Sequence, residues 1–321
     1  MKNNFAVIIP THERQHYFIR SMKYYEKISE EAEVIYCDSS EKKYSKTIPS
    51  AIKYYHMPGA SFQKKILRCI ELTNSDFIAL SADDDFLLIP SLLEAYEILS
   101  RDDKISSVRG TFVGFNEKYN GKFFQFYQNM PSNITGTIEE RIKSFFTDYF
   151  QILWSMFRKE ILKSSFEVIS KSNFKNDNFI ELIIGTIACH FGNISTVSNT
   201  WGAREKANND HWGKRHVPIS QLDDNAIIEE LDLIVPHIDS ITTHGLFKLA
   251  LSTYIYSYKY KEKNINLFLK IIKRFIPSKM KSIFRVIKRY LFSGHDYMIL
   301  NEDDAILLRD IDSILNSTTI Y

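Results

Sequence analysis

Three consecutive aspartates, Asp83, Asp84 and Asp85, are the residues whose type and spacing most directly indicate chemistry. They follow closely on an apolar run of strand length at 77–80. Three adjacent carboxylates at the end of a buried strand repel one another unless a cation neutralises them. Because oxygen-only ligands suit Mg²⁺ or Mn²⁺, the cluster predicts a divalent metal site. The alternative is an ordinary solvated turn, in which aspartates are also common.

A second pair of carboxylates, Asp177 and Glu181, lies where the sequence predicts a helix that begins at Asn176. Residues four apart on a helix lie on the same side, so the two carboxylates would share one face. The alternative is that Asp177 only caps the helix and that Glu181 is solvated.

The stretch from Trp201 to His216 is rich in polar, cationic and aromatic residues and poor in aliphatic ones. This composition predicts a loop, and its two tryptophans favour a functional loop over a disordered one. The histidine spacings match no established zinc ligand set. The loop residues suited to close over an anionic leaving group or an acceptor include Trp201, Arg204, His211 and Trp212.

A framework of alternating strands and helices positions these residues. Apolar runs predict strands at 5–9, 33–37, 52–56 and 77–80, with helices at about 15–28, 61–72 and 90–99. This alternation predicts an α/β fold with a mostly parallel sheet and flanking helices. The carboxyl ends of such strands are where ligands bind.

The middle of the chain, from about 105 to 170, has a different pattern. Strands are predicted at 107–115, 121–127 and 152–157, with a helix at 138–149. Such an insertion could supply part of a pocket wall.

From about residue 220 the chain is predicted to be helical, so we expect a domain at 1–218 and a helical region at 219–321. Eleven basic residues and one acidic residue lie between Lys259 and Arg289, interleaved with apolar ones. Basic amphipathic helices over 259–291 suit an anionic membrane surface, and a solvated basic face is the alternative. The predicted helices are 221–240, 244–260, 263–276, 279–292 and 301–316.

The overall composition is that of a soluble globular protein, with 44% hydrophobic and 25% charged residues. The net charge of +2 gives no general affinity for nucleic acid. Three cysteines without C-x-x-C spacing favour a reducing compartment over a disulfide framework or a zinc site. The apolar runs are too short for a signal peptide or a membrane span, so we expect a cytoplasmic protein, with possible peripheral contact to the inner face of the membrane.

The order of these features resembles the nucleotide-sugar-dependent glycosyltransferases of the GT-A fold, especially the family-2-like bacterial enzymes that build surface polysaccharides. The likeness covers residues 5 to about 215. The first strand and its end, at 7–14, carry the first match. The other matching residues are Asp38, Ser39 and Ser40, then Gly59 with Gln63, Lys64 and Lys65, then Asp83 to Asp85 as the D-x-D signature with Pro90 and Leu93, and finally Asp177.

The resemblance implies a role for each site residue. Asp85, with Asp83, would ligate the Mn²⁺ or Mg²⁺ ion at the diphosphate, and the choice among the three aspartates stays open. Asp177, or alternatively Glu181, would be the general base of an inverting transfer. The implied donor is a nucleotide sugar, usually UDP-linked, and the acceptor a saccharide or lipid-linked saccharide. Nucleotide contacts are implied for Pro10, Thr11, Glu13, Asp38, Lys64, Asp83 and Asp84.

Two other functions fit parts of the pattern. A nucleotidyltransferase would want a glycine-rich phosphate loop after the first strand, but residues 10–14 contain no glycine. A catalytically silent scaffold of a glycan-assembly complex would not need both the aspartate cluster and Asp177. A hydrolase is disfavoured because no G-x-S-x-G or H-E-x-x-H arrangement is present.

Overall fold

A computed structural model describes residues 3–115, 124–125, 132–205 and 216–259 of the 321-residue chain. The strands are β1 (Phe5–Thr11), β2 (Glu33–Asp38), β3 (Ile52–His56), β4 (Phe77–Leu80), β5 (Asp85–Leu87), β6 (Ile105–Phe115), β7 (Phe124–Gln125), β8 (Met156–Arg158) and β9 (Asn193–Glu205). The helices are α1 (Gln15–Ile28), α2 (Phe62–Leu72), α3 (Ile89–Arg101), α4 (Ile138–Thr147), α5 (Lys159–Ser172), α6 (Phe179–Phe191), α7 (Asp224–Ile238) and α8 over 246–259.

Within the described residues the nine strands form one sheet in the order β3-β2-β1-β4-β8-β6-β9-β5, and β7 pairs with β6. The first four strands in this order run parallel. Strand β8 is antiparallel to both β4 and β6, β5 is antiparallel to β9, and β6 runs parallel to β9. The predicted α/β class is confirmed, with a parallel first half and a mixed second half.

Helices cover both faces of the sheet, as the continuous apolar run in β1 predicts. Phe5, Val7 and Ile9 pack into the core beneath α1 and α3. Ala6 and Ile8 point to the opposite face and join the core formed with α2 and α4 to α8. Successive side chains of a strand alternate between faces, so a single run of residues supports two cores.

The expected helix at Asn176 begins later, at Phe179, and the prediction of its start was wrong. The side-chain Oδ1 of Asn176 accepts a hydrogen bond from the backbone N–H of Asn178 at 3.0 Å, which forms a turn before the helix. Asp177 lies in this turn. It therefore does not share a helical face with Glu181.

The prediction of a loop from Trp201 onward was also wrong for the first five residues, 201–205, which form the end of β9. Phe112 and Phe86 are the register partners of Gly202 and Ala203, so this part of β9 is paired on both sides. Trp201 is fully buried in the core. A composition rich in polar residues did not reveal that four of these five residues are buried and that only Arg204 is partly exposed.

The described part of the predicted C-terminal region consists of α7 and α8, which match the helices expected at 221–240 and 244–260. Ile234, Ile238 and Phe247 join the core that contains α5 and α6. Among the described residues, no helix combines the length and the hydropathy needed to cross a bilayer. The helices predicted at 263–276, 279–292 and 301–316 lie outside the described residues, and the domain boundary after 218 stays a prediction.

Candidate active site

The carboxyl ends of β1, β2 and β4 meet at one edge of the sheet because these strands are neighbours and run parallel. Thr11 ends β1, and its hydroxyl donates a hydrogen bond of 2.7 Å to Oδ2 of Asp83. Asp83 is only 2% exposed. The first aspartate of the cluster is thus fixed against the end of the central strand.

Arg14 bridges two aspartates of the cluster. Its Nη1 donates to Oδ1 of Asp83 at 2.7 Å, and its Nη2 donates to Oδ2 of Asp84 at 2.6 Å. The guanidinium also lies 4.1 Å above the ring of Tyr17 on α1. Ion pairs formed by a planar guanidinium hold geometry as well as charge, so Arg14 orients both carboxylates.

Lys65 on α2 reaches the same edge from the other side of the sheet. Its ammonium donates to the backbone oxygen of Thr11 at 2.6 Å and to the hydroxyl of Ser39 at 3.0 Å. Burial lowers the pKa of this lysine, against the opposing effect of nearby acidic groups. Lys64, to which the resemblance assigns a nucleotide contact, is exposed on the same helix.

Asp38 and Glu13 complete this edge of the sheet. Asp38 accepts hydrogen bonds from the backbone N–H of Ser40 at 2.8 Å and from the hydroxyl of Tyr54 at 2.6 Å. Glu13 has a left-handed backbone with φ of 51°, which costs free energy for a residue with a Cβ atom. In this conformation its N–H donates to the hydroxyl of Ser40 at 2.8 Å. Pro10 is buried at the end of β1.

Asp85 begins the edge strand β5 and pairs with Arg204 of β9. The Nε of Arg204 donates to Oδ2 of Asp85 at 2.9 Å, and its Nη1 donates to Oε1 of Gln151. The guanidinium lies 3.9 Å above the ring of Phe112. Gly202 allows the close approach of the two strands, since a Cβ there would lie 2.5 Å from a backbone oxygen of β5.

The two innermost carboxylates of the cluster resist ionisation. Burial raises the pKa of Asp83 to about 7, although the charge of Arg14 lowers it. Burial likewise raises the pKa of Asp85 to about 7 against the opposing charge of Arg204. The two arginines therefore offset only part of the cost of removing these carboxylates from water.

Glu181 lies close enough to Arg204 for their charges to interact. Its Oε2 accepts a hydrogen bond of 2.6 Å from the hydroxyl of Tyr149, and its Oε1 accepts one of 3.3 Å from the N–H of Leu153. Burial raises the pKa of Glu181, while these hydrogen bonds and the charge of Arg204 act to lower it. Both carboxylate oxygens of Glu181 thus accept hydrogen bonds within the protein.

Asp177 is held differently. Its Oδ2 lies 3.4 Å from Nε2 of His216, and both side chains are about a quarter exposed. Both candidates for a general base are half-buried, but Glu181 accepts hydrogen bonds from Tyr149 and Leu153 while Asp177 faces an imidazole. His211 and Trp212, the other predicted loop residues, lie outside the described residues.

The acidic cluster suits a hard divalent cation in its donor chemistry, since all its donors are carboxylate oxygens. Across 3–115, 132–205 and 216–259, however, no group of three or more His, Cys, Asp and Glu side chains is arranged to hold a metal ion. The carboxylates face arginines instead. A cation that binds here would exchange with Arg14 or Arg204.

Several residues of this edge were not assigned a role from the sequence. Arg14 could have been found, because it lies beside Glu13 where β1 ends. Gln151 and Tyr149 gave no such signal, since their contacts join segments far apart in the chain. His216 belongs to the loop that the sequence predicts to be functional, but its contact with Asp177 was not predicted.

Comparison with known proteins adds structural similarities at low sequence identity. No protein-family model matches this sequence, and no curated protein matches it. S. aureus TarS 1-349 in complex with UDP-GlcNAc is similar, with 13% identity and a TM-score of 0.49 over 82% of this chain and 92% of that one. The mannosyltransferase PcManGT from Pyrobaculum calidifontis, in complex with GDP-Man and Mn²⁺, has 10% identity and a TM-score of 0.47 over 100% and 87%. Both are complexes with a nucleotide sugar.

Proposed function

We propose that the protein is a GT-A-type glycosyltransferase that moves a sugar from a nucleotide-sugar donor to a saccharide or lipid-linked saccharide acceptor. The observation that carries this proposal is the aspartate cluster at the carboxyl end of a parallel strand, in which Arg14 bridges Asp83 and Asp84 and Arg204 pairs with Asp85. Open α/β sheets bind ligands at this edge, and carboxylate oxygens suit the divalent ion that accompanies a nucleotide diphosphate.

The nucleotide would be bound at the ends of β1 and β2, with Asp83 and Asp84 beside it. Asp85, with Asp83, would hold Mg²⁺ or Mn²⁺, which when bound supplies positive charge to the diphosphate leaving group. Arg204 and Arg14 would then contact the diphosphate oxygens. The nucleotide contacts proposed here are Pro10, Thr11, Glu13, Asp38, Lys64, Asp83 and Asp84.

Asp177 would act as the general base. It accepts the proton of the acceptor hydroxyl while the acceptor oxygen attacks the anomeric carbon from the side opposite the diphosphate. Single displacement inverts the anomeric centre. General base catalysis by a positioned carboxylate contributes about 10²- to 10⁴-fold to the rate.

The decisive experiment measures donor turnover by the full-length protein and by Asp85→Ala. A panel of UDP-, GDP-, CMP- and dTDP-sugars is incubated with Mn²⁺, and released nucleotide is quantified. We expect turnover of at least one donor and its loss in Asp85→Ala, while Asp103→Ala, an exposed aspartate in the loop after α3, behaves as wild type. Equal turnover by a folded Asp85→Ala variant would eliminate the metal assignment.

The product distinguishes the competing functions. Transfer or hydrolysis of the sugar releases a nucleoside diphosphate or, from a CMP-sugar, the monophosphate. A nucleotidyltransferase run in reverse would consume pyrophosphate and release a nucleoside triphosphate. A wild-type protein that binds UDP or GDP yet turns over no donor of the panel would support a scaffold and reject the proposed activity.

The basic stretch at 259–291 supports a second part of the proposal, contact with an anionic membrane surface. Each lysine or arginine near such a surface contributes about 1 kcal/mol. Full-length protein should sediment with phosphatidylserine vesicles at low salt and be released at about 1 M salt, where charges are screened beyond about 3 Å. Sedimentation that is unaffected by salt would reject this contact.

A further inference from the structure

The turn that carries Asp177 is hydrogen-bonded to a segment that follows β9 in the chain. The side-chain amides of Asn176 and Asn178 both donate to the backbone oxygen of Val217, at 2.9 and 3.2 Å. Asparagines on both sides of Asp177 thus bind the residue directly after His216. This pairing brings the imidazole and the carboxylate of Asp177 together.

Glu230 of α7 makes a second set of contacts with the same turn. Its two carboxylate oxygens accept hydrogen bonds from the backbone N–H groups of Lys175 and Asn176, at 3.0 and 3.1 Å. Glu230 is only 8% exposed. Charge-assisted hydrogen bonds to a buried carboxylate are stronger than neutral ones, so Glu230 of α7 holds the turn in place.

We propose that His216 is a positioning residue and proton acceptor for Asp177, in a carboxylate–imidazole pair held by the helical region after 218. This proposal rests on the proposed function, in which Asp177 is the base. The Oδ2 to Nε2 separation of 3.4 Å requires only a small movement to form a hydrogen bond. Catalytic hydrogen bonds are often long before substrate binds.

The proton and electron pairs balance in this scheme. An electron pair of the acceptor oxygen forms the bond to the anomeric carbon, and the bond from that carbon to the diphosphate breaks with its electrons on the leaving oxygen. The proton of the acceptor passes to Asp177 and from there to Nε2 of His216. The imidazole is about a quarter exposed and releases the proton to water.

The test uses full-length His216→Ala and the first donor of the panel that the wild type turns over. We expect kcat to fall about tenfold, because a partner of the base is removed while the base stays, and the KM for donor to stay within about twofold. Added imidazole should raise kcat of this variant several-fold and leave the wild type unchanged. A purely structural role of His216 would not produce this rescue.

The chain offers a matched control in His244, whose Nδ1 lies 2.6 Å from Oδ2 of Asp239 in the turn after α7. His244→Ala removes an imidazole–carboxylate pair of the same type and should retain wild-type kcat with no response to imidazole. Thermal unfolding of each variant shows that it is folded.

The outcomes separate this inference from the proposed function. An inactive Asp177→Asn together with a His216→Ala variant that keeps wild-type kcat would overturn only the inference. A folded, slow His216→Ala variant that imidazole does not rescue would overturn it as well. A fully active Asp177→Asn, or a wild type that turns over no donor, would overturn the proposed function and the inference with it.

Discussion

The two ends of the candidate site are built in different ways. The region to which we assign the nucleotide, called the nucleotide end, consists of the terminal residues of β1, β2 and β4, whose parallel pairing brings Thr11, Asp38 and Asp83 to one edge. The region to which we assign the general base, called the base end, consists of a turn before α6 that is held by residues from after β9 and from α7. Regular sheet geometry determines the first end, and individual side-chain contacts determine the second.

This difference predicts where substitutions act. At the nucleotide end buried charges are part of the folded core, so their loss should affect stability and binding together. At the base end the carboxylate of Asp177 is partly exposed and makes few contacts of its own, so its loss should affect the rate with little effect on stability.

The largest effect is expected for Asp177→Asn, which removes the base while keeping the size of the side chain. We expect kcat to fall about 10²- to 10⁴-fold, which raises the barrier by about 3 to 5 kcal/mol. Binding of UDP or GDP, measured by calorimetry, should be unchanged. Glu181→Gln provides the comparison at the neighbouring carboxylate.

Glu181→Gln should change kcat less than tenfold and instead lower the free energy of unfolding by about 1 to 2 kcal/mol. Its carboxylate accepts hydrogen bonds from Tyr149 and Leu153, and an amide leaves one of these donors without a good acceptor. The reverse pattern, with Glu181→Gln inactive and Asp177→Asn active, would make Glu181 the base and remove the contrast between the two ends.

The next largest effect is expected at the buried ion pair behind the acidic turn. Arg20 donates to Glu205 at 2.6 Å and to the backbone oxygen of Asp84 at 3.4 Å. Arg20→Met leaves a buried carboxylate without its cation, so the free energy of unfolding should fall by about 3 to 5 kcal/mol in urea denaturation. Arg101→Met breaks an exposed helical pair with Glu97 and should cost less than about 1 kcal/mol.

A loss in Arg20→Met as small as that in Arg101→Met would mean that the nucleotide end does not depend on its buried charges. The predicted contrast in stability between the two ends would then not hold.

Sequence reasoning predicted that the polar residues of the nucleotide end meet at one sheet edge, because this geometry follows from periodicity; their role in nucleotide binding stays a prediction. The apolar runs of β1, β2 and β4 define strands, and the polar residues after Leu80 must then lie at the edge shared with Thr11. The same reasoning predicted helices on both faces of the sheet. Nothing beyond local pattern was needed for these features.

Asp177 was assigned as the base from the sequence, but the contacts that hold it could not be predicted, for a physical reason. The contacts of Glu230 with the turn at Asn176, and of His216 with Asp177, join segments 39 to 55 residues apart and depend on how α7 packs. Arg204 was assigned to a loop from composition, although its segment is a strand paired on both sides. Long-range pairing of this kind leaves no periodic signal.

A moderate effect is expected at the base end from Glu230→Ala. The substitution removes two charge-assisted hydrogen bonds and leaves the N–H groups of Lys175 and Asn176 without acceptors, so the free energy of unfolding should fall by about 2 kcal/mol. The rate should fall as well, because Asp177 follows these two residues. Glu229→Ala, an exposed neighbour on α7, should change stability by less than about 0.5 kcal/mol. Equal free energies of unfolding for the two variants would show that α7 does not hold the turn before Asp177.

The smallest effect is expected for Arg14→Gln, and the informative result is whether the affinity for Mn²⁺ rises or falls. Arg14 neutralises Asp83 and Asp84, and its side chain is 34% exposed, so solvent screens its charge. Arg14→Gln makes the cluster more negative and should therefore raise the affinity for Mn²⁺ about threefold in calorimetry without nucleotide. Lys23→Gln, which removes one positive charge from an exposed position on α1, should leave the affinity unchanged.

An unchanged or weaker affinity in Arg14→Gln would show that the cation and the arginine do not compete for the same carboxylates. The three aspartates would then act as partners in internal ion pairs and not as cation ligands.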